Sequence, residues 1–312
     1  MGLDRDTVTS IDSMSELVSI ERIKCEPDTS ASDGAIRWSA VKSIWLIGHA
    51  ILGLLGVLLF PQLDALLIFI GLTAVTICAG HSVGMHRLLI HRSFETFRWF
   101  EYLLVWLGTL VGMAGPVGMI KAHDMRDWHQ RQTVCPPHPA HDGTFFQDAW
   151  WQLCCEFKLE SPPSFYLEKR IGDDGFYKWI ERTWMLQQIP VAAVLFYAGG
   201  WAWVFWGCSL RIAVSLIGHW MVGHFAHNSG QQSWVIKGLP VQGYNLPKLG
   251  LITFGENWHG NHHAFPHSAK LGVESGQADP GFALISFLAR IGMVWGVKTP
   301  ESEPARKGLL RV

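Results

Sequence analysis

The apolar positions of this chain come in long unbroken runs rather than in the short alternations of a soluble sheet. Residues 41–60 form the first run, broken only by Lys42 at its edge and His49 inside, and Pro61 ends it. About 20 such residues suffice to cross a bilayer. A second run, 63–80, follows after a very short turn, so the two are expected to form an antiparallel hairpin that delivers His81 and His86 back to the starting side. Two further runs, 186–206 and 208–222, again lie back to back with Arg211 near the expected turn. They predict a second hairpin.

Residues 99–120 are apolar too, but carry Glu101, Gly108, Gly112, Gly115, Pro116 and Gly118. A single crossing there would put the histidines before and after it on opposite faces. The stretch is therefore expected to be interfacial or re-entrant, which glycine and proline permit where protein shields the backbone. Residues 121–182 are mixed polar and aromatic, broken by Pro136, Pro137, Pro139, Pro162 and Pro163, with a surface helix expected over 176–181. Residues 225–312 are polar and turn-rich except for an amphipathic stretch at 282–294.

The pattern predicts an all-α integral membrane protein, four transmembrane helices in two hairpins with a cytoplasmic helical cap. Residues 1–37 are expected to be a disordered cytoplasmic tail, 38–297 the membrane domain and 298–312 a C-terminal tail. No signal-peptide core is present in the polar N-terminal stretch. The short outer turns hold at most Arg211, so the positive-inside rule places the histidine side and both termini in the cytoplasm.

Composition agrees with this reading. Of 312 residues, 49% are hydrophobic and 16% charged, below the roughly 25% charged usual in soluble domains. A net charge of -1 removes the basic excess that nucleic acid binding requires. The six cysteines, Cys25, Cys78, Cys135, Cys154, Cys155 and Cys208, form no C-x-x-C pair and suggest reduced thiols. Histidine is the unusual count, 15 against 5 tyrosines. Imidazoles beside lipid need a compensating partner, and a metal is the economical one.

The first cluster holds His86 and His91. Five residues of ideal α-helix rotate about 140°, so both rings reach one site only if the helix ends between them. The last cluster holds His259, His262 and His263, which one helical turn can aim at a single small volume. Three converging imidazoles suit iron, zinc or copper rather than magnesium or calcium.

With these boxes the sequence resembles the membrane fatty acyl desaturase family of the stearoyl-CoA desaturase type, over about residues 40–275. The first box matches through His86 and His91, with Gly84, Arg87 and Arg92-Ser93 in place. The last matches through His259, His262 and His263 before Phe265-Pro266. The resemblance implies two iron ions with O2 as co-substrate, a fatty acyl substrate carried on CoA, lipid or carrier protein, and oxidation of the acyl chain by desaturation. Hydroxylation or ketone formation on the same scaffold is the alternative. A non-catalytic membrane metal-binding protein would instead place polar groups along a path through the spans. No flavin or nicotinamide fingerprint is evident, so electrons are expected from a ferredoxin or a cytochrome b5-like protein with its reductase.

Two positions depart from the family pattern. Where the family has H-R-x-H-H, this chain has His123 followed by Asp124, Met125, Arg126 and Asp127. Only His123 matches. Arg126 cannot ligate, whereas Asp127, about 40° from His123 on a helix, can offer a carboxylate; His129 is a possible substitute. The family's isolated histidine falls at His227, but the asparagine four residues earlier is Gly223, and His224 is a candidate for the vacated position. A capping or hydrogen-bonding role is its alternative. His49, His81, His138, His141, His219 and His267 match no family position.

Overall fold

A computed structural model describes residues 20–312. Its elements are mostly helices, with four two-stranded pairs and no closed sheet among the described residues. Three helices are long and apolar enough to cross a membrane: Ala40–Leu59, Leu63–Ile90 and Gln188–Asn228. Most of their large apolar side chains face outward, as Ile44, Leu58, Leu67, Val194 and Tyr197 do. That is the surface of a bundle solvated by lipid rather than water.

The first two helices are joined by the short 60–62 turn, and both pack on the 205–210 segment of the third run. The third run is itself a hairpin, because Gly200 (φ 65, ψ -159) interrupts its helical backbone. Gln188 Oε1 accepts from Arg211 Nη2 at 2.7 Å, and a Cβ on Gly207 would meet Leu195 at 2.7 Å. Both contacts bracket Gly200 symmetrically, so the chain reverses there and not near residue 207 as expected. Only glycine takes that backbone conformation without strain. Arg211 is accordingly not at a turn. It is 1% exposed and donates to Gly207 O at 2.7 Å, to Leu110 O and to Gln188.

Small residues let the hairpins meet. A Cβ on Gly53 would lie 2.8 Å from Leu210 Cα, and one on Gly56 would lie 2.5 Å from Phe205 Cβ. Close approach of this kind replaces the hydrophobic driving force that lipid does not supply.

The 99–120 stretch forms two helices, Arg98–Thr109 and Pro116–Gln130, separated by a turn in which Gly112 has φ 87. Pro116 starts the second at its N1 position, where its missing N–H costs no bond. The expected surface helix is Gly175–Thr183, capped by Asp174 accepting from Phe176 and Tyr177. The amphipathic stretch is Pro280–Arg290, capped by Asp279.

The expected unstructured tail reaches into ordered chain. Its first 19 residues lie outside the described residues, but Ile23–Lys24 pairs with Ser164–Phe165 and Gly34–Trp38 pairs antiparallel with Cys155–Leu159. Arg22 explains the order locally. At 6% exposure it is ion-paired to Asp124 (3.0 Å) and Glu168 (2.8 Å) and donates to Ile90 O. The terminal stretch is tied in as well, since Leu309–Arg311 pairs with Trp234–Ile236.

Candidate metal centre

Four elements converge at one end of the hairpins. From Thr76 onward the Leu63–Ile90 helix is wound as a π-helix, and His91 N–H donates to His86 O at 3.1 Å, five residues back. In i→i+5 winding, residues five apart come closer to one face than the about 140° of an α-helix allows. The helix ends at Ile90 with His91 as its C-cap, so it ends between the two histidines as expected, and their rings meet with centroids 4.8 Å apart. The Pro116–Gln130 helix contributes His123, the long hairpin helix contributes His227, and the one-turn helix His259–Ala264 contributes the last three.

Seven imidazoles form two groups. His86, His91, His123 and His262 make one; His227, His259 and His263 make the other, and within each the ligand atoms lie within 4.8 Å of one another. Across the first group His86 Nε2 is 3.3 Å from His262 Nε2, and His91 Nε2 is 3.2 Å from His123 Nε2. In the second, His259 Nε2 lies 3.0 Å from His227 Nε2 and 2.9 Å from His263 Nε2.

Three of the remaining ring nitrogens have partners, whereas His262 Nδ1 is buried without one. His86 Nδ1 lies 2.7 Å from Glu256 Oε2, His123 Nδ1 is 3.2 Å from Asp124 Oδ1, and His227 Nδ1 is 3.1 Å from Gln242 O. Each of these acceptors takes the proton-bearing nitrogen, which leaves Nε2 of His86, His123 and His227 as the lone-pair nitrogen, that of His227 also 3.2 Å from Gln130 Nε2. Burial, with the neighbouring imidazoles adding to it, holds His91, His259 and His262 well below the ordinary histidine range. Burial pushes His263 down to about 3. His91, His259, His262 and His263 are therefore neutral, and within each group ring nitrogens face one another at about 3 Å. A cation between them is what reconciles that crowding, so the donor set fits a transition metal in each group.

Asp127 lies on the same helix as His123, 4% exposed, and its Oδ1 has no hydrogen-bond partner. Its charge acts on His123 of the first group and on His263 of the second. Burial opposes ionisation, but the facing His123 and the Arg131 and Arg126 guanidinium groups hold the carboxyl well below the usual carboxylate range. Arg131 Nη2 donates to its Oδ2 at 3.2 Å. Its Oδ1 lies 3.7 Å from Arg126 Nη2, and the carboxylate stands beside both groups but outside either 4.8 Å set.

Two expected substitutes are placed elsewhere. His129 packs against Phe157, centroids 5.5 Å apart, away from both groups. His224 does not fill the position opposite Gly223; its Nδ1 is 2.8 Å from Asp148 Oδ2, in a third buried set with His141. Sequence reasoning missed the roles of His141 and Asp148. The acid Glu256 stood beside the last box, but Asp148 carried no local signal.

No protein-family model matches the chain. Among characterised relatives, the chain is 31% identical over 224 residues to the sn-1 stearoyl-lipid 9-desaturase of Anabaena variabilis, covering 72% of this chain and 80% of that protein. It is 32% identical over 230 residues to the corresponding enzyme of Synechocystis sp., covering 73% and 70% respectively. Acyl-CoA 5-desaturase of Anemone leveillei is 28% identical over 243 residues, 77% of this chain and 74% of the relative. A family of this kind implies a metal centre and a fatty acyl substrate, which agrees with two histidine groups at the end of an apolar bundle. On this evidence the chain belongs to the membrane fatty acyl desaturase family.

Proposed function

We propose that this protein introduces a cis double bond into a fatty acyl chain, using O2 and two iron ions, one bound by each histidine group. His86, His91, His123 and His262 would hold the first ion. His227, His259 and His263 would hold the second, and Asp127, which lies outside that 4.8 Å set, would close on it as an anionic ligand. The observation that carries this reading is the convergence of seven imidazoles in two groups whose ring nitrogens face one another at about 3 Å. Bound iron supplies an oxidant strong enough to take hydrogen from an unactivated methylene, which no acid, base or nucleophile can.

The protein's own residues prepare the site. Glu256 and Asp124 fix the rings of His86 and His123, so that ligand geometry is set before metal arrives. Arg22 in turn holds Asp124, and Arg87 holds Glu256 at 3.6 Å and Asp279 at 2.9 Å. Burial of all seven rings keeps bulk water from the reacting centre. One methylene must then be aimed at the metals by the path of the acyl chain.

The two hairpins are read as four crossings, with the 60–62 turn and Gly200 on the outer side and the metal centre and both termini in the cytoplasm. The C-terminal ends of Leu63–Ile90 and Gln188–Asn228 both carry ligand histidines, which supports that topology. The acyl group is carried on a lipid or on CoA, as in the relatives. Electrons come from a separate donor, a ferredoxin or a cytochrome b5-like protein with its reductase.

Hydroxylation would use the same site, and the relatives' named activities favour desaturation. Expression in a host of defined lipid profile, followed by mass spectrometry of total fatty acids, decides between them. New species lighter by two hydrogens support desaturation. An added oxygen without a double bond refutes it.

A further inference from the structure

The two histidine groups are unequal, four imidazoles against three. Beside the smaller one stands a ring the reaction has not yet used. A Cβ on Gly223 would meet His141 Cε1 at 3.2 Å and Nε2 at 3.3 Å, so the imidazole of His141 occupies the space a side chain at position 223 would take. That ring lies parallel to His227, interplanar angle 14° and centroids 5.4 Å apart. Asn228 Nδ2 donates to His141 O at 2.9 Å, which fastens the His141 backbone to the helix bearing His227.

Its orientation is fixed from behind. His141 Nδ1 lies 3.1 Å from Asp148 Oδ2, and the same oxygen accepts from His224 Nδ1 and Trp220 Nε1, each at 2.8 Å. Asp148 is fully buried. An oxygen shared among three donors is a hydrogen-bond acceptor rather than an empty cation site, because the indole nitrogen can only donate. His141 therefore carries its proton on Nδ1. Nε2 is left as a lone pair with no hydrogen bond from the described residues, on a ring 5% exposed as a residue, stacked against His227 and beside Gly223. The backbone supports the placement at some cost, since His141 has φ 58, a conformation unfavourable for a side-chain-bearing residue.

The geometry points to His141 as a positioning residue for the second ion: its Nε2 accepts a hydrogen bond from a water ligand of the metal held by His227, His259 and His263, with Asp148 fixing the tautomer. His141 lies outside the 4.8 Å set of that group, which fits a contact through one water rather than a direct bond. The inference rests on the two-ion reading above.

The test uses the full-length protein in detergent, stripped of metal and titrated anaerobically with Co(II), whose visible absorption reports coordination at each ion. Wild type should take up two ions. His141→Ala should keep the first with an unchanged spectrum and bind the second about tenfold or more weakly, the range for loss of such support. Retention of the first ion serves as the folding control. Adding Gly223→Asn to His141→Ala refills the space with a polar group and should restore most of the affinity. Adding Gly223→Leu refills it with an apolar one and should not. Equal recovery by the two doubles would make His141 a packing residue and overturn the proposal, as would wild-type affinity in His141→Ala. Fewer than two ions in wild type would overturn the two-ion reading and this inference with it.

Discussion

Glu256 places Oε2 2.7 Å from Nδ1 of His86 while its Oε1 accepts from Ser82 Oγ at 2.6 Å. The carboxylate thus joins two positions one turn apart on the π-wound helix to the loop before the last histidine box. Glu256→Gln keeps the shape but offers His86 either an amide oxygen or a donor. Metal affinity of the first group should fall about 10–100-fold, the usual loss when a ligand's outer partner is removed. Equilibrium dialysis against a competing chelator would measure it.

Arg22 reaches from the N-terminal strand to Asp124, the residue that orients His123. Arg22→Ala leaves Asp124 without its buried arginine, while Glu168 keeps Arg92. Breaking such a pair costs roughly 3–5 kcal/mol. A large drop in thermal midpoint in detergent is expected, together with loss of iron. The doubly conservative change Arg22→Lys should recover only part, because one ammonium cannot replicate the planar fork.

At Asp127 the expectation is graded. Asp127→Asn should lose iron and turnover, Asp127→Ala at least as much, and Asp127→His should retain metal better than Asp127→Ala because imidazole can take the same place. Iron content of the three purified variants checks the order. Full iron and full turnover in Asp127→Ala would leave the carboxylate a purely structural role.

Acid should unfold the metal-free protein through its buried histidines. Burial lowers His129 and His138 from the ordinary 6.5 to about 4. Above pH 6.5 both folded and unfolded states leave these rings neutral, so their contribution to stability is fully present. As pH falls from 6.5 toward 4, the unfolded chain takes up protons that the folded chain refuses, and stability is lost at about 1.4 kcal/mol per pH unit for each such group. Thermal melts of the apo protein should be flat near neutrality and fall steeply through this window.

Much of the site was legible in the sequence because metal ligands are few in type and must be brought together by short-range geometry. His259, His262 and His263 announce one helical turn, and one turn is what they form. His86 and His91 announce a shared target, but the means, a hydrogen-bond ladder shifted by one residue, leaves no mark in residue identities. The second hairpin was legible as a pair of apolar runs, yet its reversal was read at residue 207. The pairing of Gln188 with Arg211 puts it at Gly200, and a buried arginine's partner is a tertiary fact. The same holds for Arg22, whose charge reads locally as a solvated tail. His141 and Asp148 meet His224 across more than seventy residues, beyond any local period.

The account stands on the claim that the two histidine groups hold iron. Plasma mass spectrometry of protein purified from cells grown with ample iron, normalised to chain concentration, tests it most directly. Close to two irons per chain, falling when His259, His262 or His263 is replaced by alanine, is the predicted result; a single zinc and no iron would contradict it.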